Sequence, residues 1–287
     1  MSPAPTTLLG GALRTAGSAA TLPLRLRSGR LAAGPRLATG AADDGYFPRA
    51  SVLRRVQGER SVGLLYGQRA LLIGALDPRN YVGTALHSRY RDRPFKRLAA
   101  TGKMFETIFF GSRAEADRVL AVVERMHSGV EGALPEDAGP HPAGTRYSAF
   151  DPELMLWTIG VAAESAAFFY ERLVRRMDEE EKDRFWADWV RFGELFGMPA
   201  EVAPVGWEGF RTWFEERLAS EEMHLTPEAK RVGFGVAFRI PFSTARAPLK
   251  EAHDLIMLGS LPPRVRELYS LPWDGVRELA YQAAVEA

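Results

Sequence analysis

The chain has 287 residues, 46% hydrophobic and 25% charged, an ordinary composition for one large globular domain or two small ones. Thirty-seven basic and 36 acidic residues leave a net charge of +1, which excludes a global charge excess aimed at nucleic acid or an anionic membrane. No apolar run approaches the length of about 18 residues that a transmembrane helix needs, and with no cysteine the chain has no disulfide, thiolate zinc site, iron–sulfur cluster or thiol catalysis.

Residues 1–42 carry five arginines (Arg14, Arg25, Arg27, Arg30 and Arg36) and no acid, in a background of Ala, Gly, Pro, Ser and Thr. They show no lasting period, and Leu8 and Leu9 run straight into glycines, so the continuous apolar core of a secretory signal is missing. The expectation is a disordered basic tail in a cytoplasmic protein; an arginine-rich organellar transit peptide is the other reading. The remaining residues, 43–287, hold 32 basic against 36 acidic residues.

From Tyr46 onward the pattern turns helical. Ser51 caps a short helix over 51–58, and 61–76 is a strongly apolar, buried helix ended by Asp77-Pro78, which also starts the next one. Helices follow over 80–90 and 92–109, the latter closed by Gly111, and Ser112 with Glu115 has the spacing of a capping box for a helix over 113–132. Residues 134–146 are rich in Pro and Gly and read as a surface loop. Asp151-Pro152-Glu153 opens a long helix to about 176, Asp178 caps a charged one over 179–196, and Gly197 with Pro199 stops it. Further helices are expected over 206–220, 226–240, 247–258, 263–271 and 275–285. Strand signals are scarce, so the fold class is all-α, a single domain of about ten helices.

No Walker loop, HExxH, EF-hand loop or nucleophile elbow is present. Any metal or cofactor must be held by His, Asp, Glu, Tyr, Met or Lys, and the histidines are His87, His127, His141, His224 and His253. Leu120, Val123, His127 and Val130 recur at helical spacing, which puts the imidazole on an apolar stripe facing the core. Such a ring is either a proximal heme ligand or a packed histidine bonded to a carbonyl. Arg97 and Thr101, four apart, place a guanidinium and a hydroxyl on one helix face, where an arginine fits a cofactor carboxylate or is simply exposed. His87 reads as a helix C-terminal contact and His141 as a loop residue; His224 and His253 have no partner at a telling spacing. Arg172, Arg175 and Arg176 read as a solvated helix end.

From about Asp43 to the C-terminus the order of short segments resembles the family of the mycophenolic-acid side-chain oxygenase MpaB and the latex-clearing rubber oxygenases, in its bacterial branch. The segments are Ser51-Val52-Leu53-Arg54-Arg55-Val56, Gly67-Gln68-Arg69-Ala70-Leu71-Leu72, His87-Ser88-Arg89, Arg97 to Thr101-Gly102, and Arg125-Met126-His127. They continue with Tyr147 to Trp157, Glu194-Leu195-Phe196-Gly197-Met198-Pro199, Leu261-Pro262-Pro263-Arg264 and Leu271-Pro272-Trp273. The resemblance implies a globin-like helical core around heme b, iron held by His127, Arg97 at a propionate or orienting the pocket, and Thr101 as a distal hydroxyl. It further implies an oxygenase that uses dioxygen on an apolar, isoprenoid-like or other small molecule, with cleavage of a C=C bond as its characterised chemistry. The chain departs from the family pattern at Asp77, Glu124, Glu131 and Ile159, where relatives often carry His or Arg, and at Ala100, where rubber oxygenases carry a distal Lys. These departures keep a second expectation open: a non-catalytic ligand-binding or scaffold protein on the same helical fold that has lost heme.

Overall fold

The computed structural model describes residues 45–87, 93–239 and 247–286; the expected basic tail over 1–42 lies outside them. Among the described residues are twelve α-helices, one 3₁₀ turn (Ala200–Val202) and one two-stranded hairpin. The helices are α1 (Val52–Gln57), α2 (Arg60–Gly74), α3 (Pro78–His87), α4 (Pro94–Phe110), α5 (Arg113–His127), α6 (Pro152–Leu173) and α7 (Glu179–Leu195). After these come α8 (Gly206–Ala219), α9 (Pro227–Phe238), α10 (Ala247–Ser260), α11 (Pro263–Tyr269) and α12 (Gly275–Glu286). The all-α class expected from the periodicity is the class observed.

The helices start where side-chain oxygens meet orphan backbone N–H groups. Ser51 Oγ accepts from Arg54 N at 3.0 Å, Asp151 Oδ1 from Glu153 N at 2.9 Å and Thr226 Oγ1 from Ala229 N at 3.2 Å. Ser112 with Glu115 and Asp178 with Glu181 form reciprocal capping boxes.

Two departures from the sequence reading concern one stretch. The helix expected over 113–132 ends at His127, where the Ser128 N–H closes on Glu124 O, and the chain turns out of the helix through Ser128-Gly129. Residues 131–133 then pair with 146–148 as antiparallel strands, β1 (Glu131–Ala133) and β2 (Arg146–Ser148), in the register Gly132 to Tyr147. The intervening loop is not wholly a surface loop. Leu134, Ala138 and His141 are buried, and the His141 Nε2–H donates to Glu222 O at 3.0 Å, which pins the loop to the segment after α8.

α6 is apolar nearly all round, so it is buried nearly all round, with Trp157, Ala163, Ala166, Ala167 and Phe169 in the core. α2 packs along it, and the Trp157 indole N–H donates to Gly74 O at 3.1 Å across the contact. α1, α4 and α5 close one side of this pair, α7 and α8 another, and α9 to α12 the rest. Trp157 stacks on Phe214, and Trp186 on Phe210 with centroids 4.0 Å apart, which joins α6, α7 and α8 through aromatic faces.

Candidate functional site

Gly111 and Ser112 make the tight link between α4 and α5, which pack against each other. Glycine is needed at 111 because a Cβ there would come 2.5 Å from Thr107 O. At about 1.5 Å per residue, Arg97 on α4 and His127 on α5 both lie roughly 20 Å from this turn, at the same end of the helical hairpin. Thr101 is one turn along α4 on the Arg97 face, and both residues are half-buried.

His127 is half-buried, not enclosed in the core as its apolar stripe suggests. Its ring meets Phe150 edge-on at 6.1 Å and Phe196 at 6.3 Å, where the start of α6 and the end of α7 come together. Burial pushes the imidazole pKa down, so the ring is neutral at pH 7. Among the described residues it makes no hydrogen bond, so the carbonyl-bonded core histidine is not the observed arrangement. The Arg97 guanidinium donates to Thr84 O at 3.4 Å and has no carboxylate partner among the described residues. Burial lowers its pKa, with a smaller opposing influence from Tyr81. No contact among the described residues links His127 to Arg97 or Thr101; the hairpin brings them to one of its ends.

The positions that depart from the family pattern have their own surroundings. Glu124 and Glu131 are both exposed. Asp77 is fully buried between Arg79 and Arg217, at 3.0 and 3.1 Å, and accepts from the Arg79 N–H at the start of α3. It therefore ties α3 to the end of α8. Ile159 is a core side chain packed against Gly193.

The other histidines are engaged elsewhere. His87 is exposed at the end of α3 and bonds the Tyr147 hydroxyl at 3.2 Å. His253 Nε2 meets Gln68 Oε1 at 2.9 Å, a partner far off in sequence that no spacing reveals. His224 packs against Gly139, and its backbone N–H donates to Leu76 O. No group of three His, Asp or Glu residues that could hold a metal ion by themselves occurs among the described residues.

Sequence reasoning missed a buried charge cluster. Arg69 on α2, 1% exposed, pairs with Glu164 on α6 and donates to Ser165 Oγ at 2.8 Å and Ser260 O at 2.9 Å; Arg211 on α8 reaches Glu164 at 3.2 Å. Lone charges at Arg69 and Glu164 inside apolar helices were the signal that could have found it.

The profile of the family described as "ER-bound oxygenase mpaB/B'/Rubber oxygenase, catalytic domain" matches residues 54–287. Two relatives, uncharacterised proteins of Mycobacterium bovis and Mycobacterium tuberculosis, are each 20% identical over 189 residues, covering 66% of this chain and 71% of theirs. No solved structure matches. No described helix is long and apolar enough to cross a membrane.

Proposed function

The chain belongs to the family of mpaB and rubber-oxygenase catalytic domains, and on that premise we propose that it is a heme b-dependent oxygenase that uses dioxygen on an apolar small molecule. The observation that carries the reading is His127: a neutral, half-buried imidazole that makes no hydrogen bond among the described residues, at the same end of the α4–α5 hairpin as a desolvated arginine that has no counter-anion among them. A porphyrin brings four of its own metal ligands and two carboxylates. It asks the protein for one neutral nitrogen and a cation, and these are the two groups on offer. A site built from several protein side chains would need a cluster of ligands that the described residues lack.

Bound heme would supply the activation of dioxygen. The chain's own residues have narrower tasks. His127 would hold iron through one ring nitrogen, with Phe150 and Phe196 fixing the ring plane and excluding water. Arg97 would pair with a propionate, offsetting the burial that now disfavours its charge. Thr101 would present its hydroxyl on the same helix face as Arg97, as a donor or acceptor toward the substrate. Cleavage of a C=C bond in an isoprenoid-like molecule is the form of the reaction that the family suggests.

The scaffold reading draws its support from Glu124 and Glu131. Both carboxylates are exposed, where water and salt screen their repulsion of a propionate. Reconstitution with hemin separates the two readings. The wild type should show a Soret band, His127→Ala should lose it, and His141→Ala and His224→Ala should keep it. Equal heme in wild type and His127→Ala removes His127 as the ligand, and no heme in either supports the scaffold.

A further inference from the structure

A cleft of about 570 Å³ opens between α6 and the C-terminal helices, and no residue of α4 or α5 lines it. Its volume is in the range of small-molecule sites. The Arg69–Glu164 pair forms its floor. Most of the charge around it is committed. Glu164 is shared by Arg69 and Arg211, and Lys182 lies 2.9 Å from Glu179 and 3.8 Å from Glu171. Arg266 donates to the Leu258, Gly259 and Leu261 carbonyls at the end of α10 and lies over Trp273. Glu278 accepts from Trp273 Nε1 at 2.8 Å and Gln282 Nε2 at 2.6 Å.

Two groups are not committed. Arg172 is exposed in the cleft wall, 5.7 Å from the Phe168 ring centroid, with no carboxylate within ion-pair distance among the described residues. Tyr281 also lines the cleft and is 3% exposed, yet its hydroxyl has no hydrogen-bond partner among the described residues. The ring cannot turn to find one, because it is packed on Gly259 and edge-on to Trp273 at 6.1 Å. Burial pushes the phenol pKa up against the opposing pull of Arg172 and Arg69, so the hydroxyl keeps its proton and is a donor. A buried donor without a partner in native structure calls for an acceptor that is not protein.

We propose that this cleft binds a small anionic molecule, a carboxylate or a phosphate ester, whose oxyanion pairs with Arg172 and accepts a hydrogen bond from the Tyr281 hydroxyl. Of the lining cations, Arg69, Lys182 and Arg211 are paired with carboxylates and Arg266 with backbone carbonyls, which leaves Arg172 as the one open to an anion among the described residues. The site is separate from the α4–α5 hairpin, and its occupancy does not depend on heme.

Titration calorimetry on the full chain, with benzoate and phenyl phosphate as probes at low salt, tests this. Saturable binding of at least one probe is expected, and which of them binds distinguishes a carboxylate site from a phosphate site. Tyr281→Phe keeps the packed ring and loses only an unpaired hydroxyl, so its melting temperature should not fall. It should weaken binding by about tenfold, the scale of a hydrogen bond to a charged group. Arg172→Gln should weaken binding at least as much, and Arg184→Gln, outside the cleft, should leave it unchanged. No saturable binding of either probe at millimolar concentration, or binding that either cleft variant leaves intact, overturns the proposal.

Discussion

Arg69 and Glu164 show what a single pair of side chains can hold together. Each is buried in a largely apolar helix, and each would carry a large desolvation cost alone. Removing one partner leaves the other as an uncompensated charge. Glu164→Gln should therefore lower the unfolding free energy by about 3–5 kcal/mol, measured by guanidinium denaturation, and a loss within the scatter of surface substitutions would contradict the role assigned to the pair. Glu181 acts differently. Hydrogen bonds from Arg175 first, and from the Asp178 backbone, hold its pKa down at about 2 against some burial. The folded value is below the unfolded one, so the stability it contributes is present above the ordinary carboxylate range and is lost as pH falls toward about 2. The melting temperature of the wild type should fall more steeply across that window than that of Glu181→Gln. Parallel curves would show that the linkage is absent. At this scale the sequence was informative where chemistry is local. The caps at Ser51, Asp151 and Thr226 bind N–H groups two or three residues away, and each could be read directly. Arg69 meets Ser260, and His253 meets Gln68, across separations no local pattern encodes.

Helix ends decide whether the candidate site exists. The α4–α5 hairpin holds Arg97 and His127 at one end because Gly111 and the Ser112–Glu115 box fix the turn at the other. Ser112→Ala removes the acceptor for Glu115 N and should cost about 1 kcal/mol, read by chemical denaturation with the unfolding slope unchanged. No measurable loss would mean that the box contributes nothing to the turn. Element type was legible in the longer helices, where apolar residues recur at helical spacing over ten or more positions. The end of α5 was not. Val130 continues the apolar stripe, but Ser128-Gly129 lets the chain leave the helix, and strands of three residues are too short for an alternating pattern to declare itself. The same misplacement explains His127: as the last residue of its helix, and not a mid-helix one, it sits at the edge of the core. That position leaves it partly open to solvent; its spacing offered a heme ligand only as one of two readings, and the resemblance to the oxygenase family is what favours that one.

Across the whole molecule the middle of the fold is closed by its end. α2 is covered by α6 on one side and by α9 to α11 on another. Arg69 donates to Ser260 O and the Tyr269 hydroxyl donates to Leu72 O at 3.0 Å. Contacts of that separation are slow to form because the loop between them must close first. The consequence falls on synthesis. At about 5–20 residues per second, α2 leaves the ribosome roughly 10–40 seconds before the carbonyl and hydroxyl that complete its surroundings. For about the second half of that interval Arg69 can meet Glu164 but not Ser260, and throughout it the apolar flank of α2 meant for the C-terminal helices stays uncovered. The nascent chain therefore exposes that flank to chaperones until residues 260–269 are made, and the charged pair at its centre becomes wholly enclosed only then.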